Sequence, residues 1–318
     1  MIGRWSRVRG PAAMTAAAAI VLVAAAAPVT RAPAGRQRVL ISADSLAALI
    51  AREPAAGRAD SPLVILRVVR AGAADTARIP GSRDLAFDAL VVERDGLPNE
   101  LPPVTALDSV LESVGVGDRS RIVLYGEPLE AARAFFTLDA LGHGEHAVVL
   151  DGGIAAWRAA GGALAAAATQ RAAARGRLTS RPDAGRVVDA AWVAARSGSP
   201  HIALIDARPP EEYRGDRPGA GVTRPGHIPG AGSLFWKTTL VSDSLPRLKD
   251  ADSLRALFTA AGVKAGDTVV TYCRTGVQAS HAYLVARQLG FPVRMYDGSF
   301  IDWSRRPTLP VTKGASPR

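Results

Sequence analysis

The chain has 318 residues, about two ordinary domains, and with 48% hydrophobic residues it can bury two substantial cores, which excludes disorder and fibrous repeats. The formal charge of +10 raises nucleic acid or an anionic surface as a partner. The charge is scattered and only 5% of residues are aromatic, so stacking platforms are scarce and no nucleic-acid partner is expected.

At the start of the chain, Arg4, Arg7 and Arg9 precede an alanine-rich apolar stretch, residues 16–27, that is short for a membrane span. Ala25-Ala26-Ala27 or Ala32-Pro33-Ala34 offers a small-residue cleavage site. Residues 1–34 therefore read as a secretory signal, or as an uncleaved N-terminal anchor that tethers the protein to a membrane. The expected location is periplasmic or extracellular. No cysteine lies in this segment, which disfavours a lipid anchor.

The remainder carries an internal repeat. Gly115-Val116, the run Arg121 to Gly126, Leu141-Gly142, Val148 to Gly153 and Trp157 are echoed by Gly262-Val263, Thr268 to Cys273, Leu289-Gly290, Val293 to Ser299 and Trp303. Ile79-Pro80-Gly81 likewise matches Ile228-Pro229-Gly230. Each copy alternates short β-rich apolar runs with helical patterns, the signature of an α/β domain with a mainly parallel sheet flanked by helices. The expected organisation is one domain over 38–160, a linker over 161–183 marked by Ala, Gly and Arg without a strand pattern, and a second domain over 184–309.

In the second copy, Thr268 to Thr271 is an uncharged β-branched run suited to a central parallel strand. It is followed by Cys273-Arg274-Thr275-Gly276-Val277-Gln278 and then by a helical pattern with Ala282, Val285, Ala286 and Leu289 on one stripe, capped by Gly290. Cys273 is the sole cysteine of the sequence, so it forms no internal disulfide and is either a small buried hydrophobe or a working thiolate. A cysteine at the carboxyl end of a strand, opening a tight loop into a helix, sits where α/β folds place ligands. Loop N–H groups and the helix N-terminus favour a thiolate there, and Arg274 adds positive charge, so the expected thiol pKa is lowered, into roughly 3.5–7.5.

These motifs, Leu204-Ile205-Asp206-Ala207-Arg208, Gly226-His227-Ile228-Pro229-Gly230-Ala231, Tyr272 to Ser280 and Tyr296 to Trp303, resemble those of tandem-domain rhodaneses, the thiosulfate sulfurtransferases. The resemblance implies two rhodanese-like domains, the first commonly silent, and Gly126 indeed stands where the second copy has Cys273. It implies a ping-pong reaction in which Cys273 takes the outer sulfur of thiosulfate and passes it from a persulfide to cyanide or a thiol. The donor would be held by Arg274, Thr275, Gly276, Val277 and Gln278, with Asp206 and Arg208 near the loop, either as substrate contacts or as a structural ion pair.

Many two-domain relatives have a further arginine shortly after this pair, whereas here Glu211 and Glu212 precede Arg214, the remaining candidate for a second anion contact. Cys-Arg-x-Gly resembles the thiosulfate-using branch more than the Cys-Gly-Ser-Gly of 3-mercaptopyruvate enzymes, although Thr275 occupies a position that is lysine in several thiosulfate enzymes.

Other classes fit less well. A cysteine phosphatase needs an arginine about six positions after its cysteine, where this chain has Ala279. A non-catalytic sulfur-species sensor would not need the Cys273 and Gly276 loop. His227 reads as a hydrogen-bonded turn residue and Trp236 as core. His143, His146, His201 and His281 have no partners at metal spacing, so neither metal nor cofactor is expected, and the protein is expected to be a monomer.

Overall fold

Apart from Met1, the computed structural model describes residues 38–52, 62–73, 77–165 and 174–316. The expected signal or anchor segment therefore lies outside the described residues, Met1 aside, as do residues 166–173 of the expected linker. Among the described residues no helix is long and apolar enough to cross a membrane.

The first half builds β1 (Leu40–Ile41), α1 (Ala43–Arg52), β2 (Leu63–Val69), β3 (Arg83–Ala86), β4 (Val92–Arg94), β5 (Leu97–Glu100), α2 (Val104–Ser113), β6 (Arg121–Gly126), α3 (Pro128–Ala140), β7 (Ala147–Leu150) and α4 (Gly153–Ala159). The second builds β8 (Val187–Val188), α5 (Ala190–Arg196), β9 (Ile202–Asp206), α6 (Pro210–Arg214), β10 (Gly232–Ser233), α7 (Ala251–Ala260), β11 (Thr268–Tyr272), α8 (Val277–Leu289), β12 (Val293–Tyr296) and α9 (Ser299–Arg305). Two five-stranded sheets result, ordered β1-β7-β6-β2-β3 and β8-β12-β11-β9-β10, and every pairing within them is parallel. Strand for strand the two orders are the same, so the sequence repeat is a repeat of topology.

The repeat extends to side chains. Tyr125 accepts a hydrogen bond from the Ile79 N–H and Tyr272 one from the Ile228 N–H, so the matching Ile-Pro-Gly turns are tied to matching strand ends. Trp157 donates to the Ala163 carbonyl as Trp303 does to that of Pro310. The central residues of β6 and β11 are buried, as strands inside a parallel sheet covered on both faces are.

The halves meet through α3 and α8. Phe136 packs edge-on against Tyr283 at 5.0 Å, and the Tyr283 hydroxyl donates to Asp139, which also takes an ion pair from Arg287 at 3.1 Å. Phe135 and Phe136 are fully buried, each contributing roughly 1.5–3 kcal/mol. The stripe Ala282, Val285, Ala286 and Leu289 is buried as its spacing predicts, but His281 and Tyr283 are buried as well, because α3 covers the face of α8 that the pattern leaves open.

The linker is not loose where it is described. Gly176, Leu178, Arg181 and Asp183 donate backbone hydrogen bonds to Glu112, Leu141 and Ala140, strapping the segment along the first half.

Candidate active site

Strand β11 lies between β9 and β12, with Tyr272 in register with Asp206. Three residues, Arg274, Thr275 and Gly276, carry the chain from Cys273 into α8. So short a reversal needs a left-handed residue, and Gly276 supplies it at φ +87°. A Cβ at Gly276 would come within 2.9 Å of Asp297 Oδ1, so a side chain is excluded by contact as well as by conformation.

The loop is pinned along its length. The Cys273 N–H donates to Ser299 Oγ at 3.3 Å, the Cys273 and Arg274 carbonyls accept from the Phe300 and Ile301 N–H groups, and the Gly276 carbonyl accepts from the Ser280 N–H and hydroxyl. The sulfur is buried, with Cys273 1% exposed.

Burial pushes the Cys273 thiol above its ordinary pKa, while the backbone N–H groups of Ala279, Thr275 and Gln278 pull it down and the Asp206 carboxylate pushes it further up. This corrects the expected lowering: in the resting loop loss of hydration outweighs the N–H groups. The cation counted on to help is already engaged, since the Arg274 guanidinium lies 3.7 Å from Glu212 Oε1.

The other expected residues divide. Val277 opens α8 and belongs to the core, whereas Gln278 is half-buried and presents its N–H to the thiol. Asp206 and Arg208 are brought beside the loop but are bound to each other: Arg208 donates to both carboxylate oxygens, at 2.9 and 2.6 Å, and to the Gly226 carbonyl. Arg208 is 1% exposed and its guanidinium lies 4.1 Å from the centre of the Phe300 ring. The structural alternative for this pair is the one the geometry favours.

Arg214 ends the short helix α6 and donates to Asp216 at 2.6 Å, both side chains well exposed. The candidate second anion contact is therefore seen paired with a surface carboxylate. His227 is fully buried, hydrogen-bonded through Nδ1 to the Tyr213 carbonyl and stacked on Tyr213 at 3.8 Å, a turn residue in both respects. Trp236 packs edge-on against His281 in the core.

Several site residues were not legible as such. Asn99, from the β4–β5 hairpin of the first half, donates to Thr275 Oγ1 at 3.1 Å. Arg133 of α3, fully buried, donates to Asp297 Oδ1 at 2.8 Å and to the Asn99 carbonyl, while the Leu101 N–H donates to Asp297 Oδ2. Asp297 thus joins the back of the Cys273 loop to the first half. The signals were there in part: Arg133 interrupts the apolar run from Ala131 to Phe136, and Asp297-Gly298 repeats Asp151-Gly152.

Glu100, beside them, has its carboxyl pushed up to about 7, mainly by burial and then by Asp297, with one oxygen unpartnered among the described residues.

The matching place in the first half cannot do this chemistry. Only Glu127 separates Gly126 from α3, so two of the loop residues have no counterpart. A Cβ at Gly126 would lie 2.4 Å from the Val68 carbonyl oxygen, leaving no room for a cysteine.

The rhodanese-like domain family model matches residues 189–306. A probable 3-mercaptopyruvate sulfurtransferase of Pseudomonas aeruginosa is 36% identical over 245 residues, 74% of this chain and 84% of the relative. The thiosulfate sulfurtransferase of Azotobacter vinelandii is 29% identical over 264 residues, 78% of this chain and 90% of the relative. Among solved structures, the anaerobic ergothioneine biosynthesis enzyme from Chlorobium limicola, in complex with trimethyl histidine, superposes with a TM-score of 0.74 at 22% identity, covering 87% of this chain and 70% of that one, a likeness of fold.

Proposed function

The chain belongs to the rhodanese-like sulfurtransferase family, and on that premise we propose that it moves the sulfane sulfur of thiosulfate to a thiophilic acceptor through a persulfide on Cys273. The observation that supports this reading best is a lone cysteine at a strand end with the N–H groups of Thr275, Gln278 and Ala279 gathered on its sulfur. Its thiolate attacks the outer sulfur of thiosulfate. The S–S bond of the donor breaks, both electrons leave on sulfite, and the sulfur remains as a Cys273 persulfide anion.

Cyanide or a small thiolate then attacks the terminal sulfur and releases the Cys273 thiolate, so charge balances in each half-reaction. The same N–H groups serve the thiolate and the persulfide, which makes the loop a fixed anion cradle through the cycle. With no second cysteine in the sequence, the persulfide discharges to an outside acceptor. No metal or cofactor enters these steps.

Thiosulfate as donor rests on Arg274 directly after the nucleophile. The 36% identical relative favours a second reading, 3-mercaptopyruvate as donor, in which the thiol sulfur passes to Cys273 and pyruvate leaves with the thiol proton on carbon. A side-by-side kcat/KM comparison with cyanide as acceptor decides: thiosulfate is expected to exceed 3-mercaptopyruvate, and the opposite order refutes the donor while leaving the persulfide step standing. We also propose that residues 1–34 export the protein, on the basic start, short apolar stretch and small-residue cleavage sites.

A further inference from the structure

Glu212 lies in the turn of helix that follows the Asp206–Arg208 pair, and only 12% of its side chain is exposed. One oxygen stands 3.7 Å from Arg274; the other is buried and accepts no hydrogen bond among the described residues. The loop carrying Gly219 closes over the two: a Cβ there would come within 2.5 Å of Arg274 Cδ and 2.8 Å of Glu212 Oε2. A carboxylate with one oxygen buried and unpaired is costly to keep, so stability does not explain it. Its effect on its surroundings is electrostatic. It also acts on the charge of Arg208, alongside the stronger influence of Asp206.

Beside Cys273 the formal charges therefore cancel in two pairs, Arg208 with Asp206 and Arg274 with Glu212. A donor carrying two negative charges meets in Arg274 a partly exposed cation that is already paired with a carboxylate. We infer that Glu212 is a positioning residue that sets donor selection by charge: by tethering and neutralising Arg274 it holds back dianionic donors of the thiosulfate kind relative to singly charged 3-mercaptopyruvate. The inference rests on the persulfide reading above but does not depend on which donor the protein prefers. Its content is the direction in which the ratio moves when the carboxylate is removed.

Glu212→Gln removes the charge at almost constant volume, Glu212→Met removes it with similar length should the first variant fold poorly, and Glu212→Asp retains it. The ratio of kcat/KM for thiosulfate to that for 3-mercaptopyruvate is expected to rise about tenfold in the neutral variants, chiefly through a lower KM for thiosulfate, and to stay within about twofold in the aspartate variant. Adding Arg274→Ala to Glu212→Gln should cancel most of the gain, because the released cation is what recruits the dianion. A ratio unchanged in both neutral variants overturns the inference, as does an aspartate variant that shifts as far as they do. Thiosulfate turnover that emerges only in the neutral variants refutes thiosulfate as the native donor and upholds the role of Glu212. A wild type that prefers thiosulfate, with an unmoved ratio, does the reverse. Absence of sulfur transfer from either donor in every form overturns both.

Discussion

The thiol of Cys273 is held between opposing influences, burial pushing its pKa up and three backbone N–H groups pulling it down, with burial the larger. The resting enzyme therefore carries a mostly protonated sulfur at neutral pH, and its nucleophilic form accumulates as pH rises. Alkylation of Cys273 by iodoacetamide, followed from pH 6 to 10, should show a rate still climbing above the ordinary thiol pKa of about 8.5. A plateau reached below pH 7 would mean that the cradle outweighs burial. Cys273 and Gly276 could be read from the sequence because a nucleophile and a left-handed residue sit within one short motif. Glu212 could not, since a glutamate beside a glutamate reads as solvated surface, and its partner Arg274 is reached only when β9 and β11 lie side by side.

At the scale of elements, the Cys273 loop is a strand-to-helix turn braced from behind by the buried pair Arg133 and Asp297, whose side chains are 0% and 4% exposed. Breaking such a pair from one side leaves an uncompensated charge. Arg133→Met should destabilise the protein by about 3–5 kcal/mol in urea unfolding, and adding Asp297→Asn should recover a large part of it. Equal losses in single and double variants would show that packing, not charge, is what Arg133 contributes. The limits of β11 and α8 were legible from the β-branched run, the apolar stripe and Gly290. The nearly all-round burial of α8 was not, because a single stripe is also what a surface helix presents, and the covering helix α3 lies in the other half of the chain.

Across the whole molecule, each half completes the other. The Leu101 N–H of the first half donates to Asp297 of the second, and the Leu248 N–H of the second donates to Asp151 of the first. The first half, without a cysteine or room for one, still supplies Asn99 and Arg133 to the loop of the second. The sequence repeat made the duplicated topology readable, but no spacing rule links Asn99 on β5 to a loop so far along the chain. The N-terminal proposal belongs to this scale too: mass spectrometry should find a mature chain starting between Pro28 and Gly35, and an intact Met1 on a cytoplasmic protein would contradict export. The account as a whole turns on sulfur residing covalently on Cys273. Intact-mass measurement after incubation with thiosulfate or 3-mercaptopyruvate tests this most directly. The wild type should gain the mass of one sulfur atom and lose it on adding cyanide, while Cys273→Ser, equally folded, gains none and turns over neither donor. Substantial turnover by the serine variant, or transfer by a wild type that never carries the extra sulfur, would contradict the account.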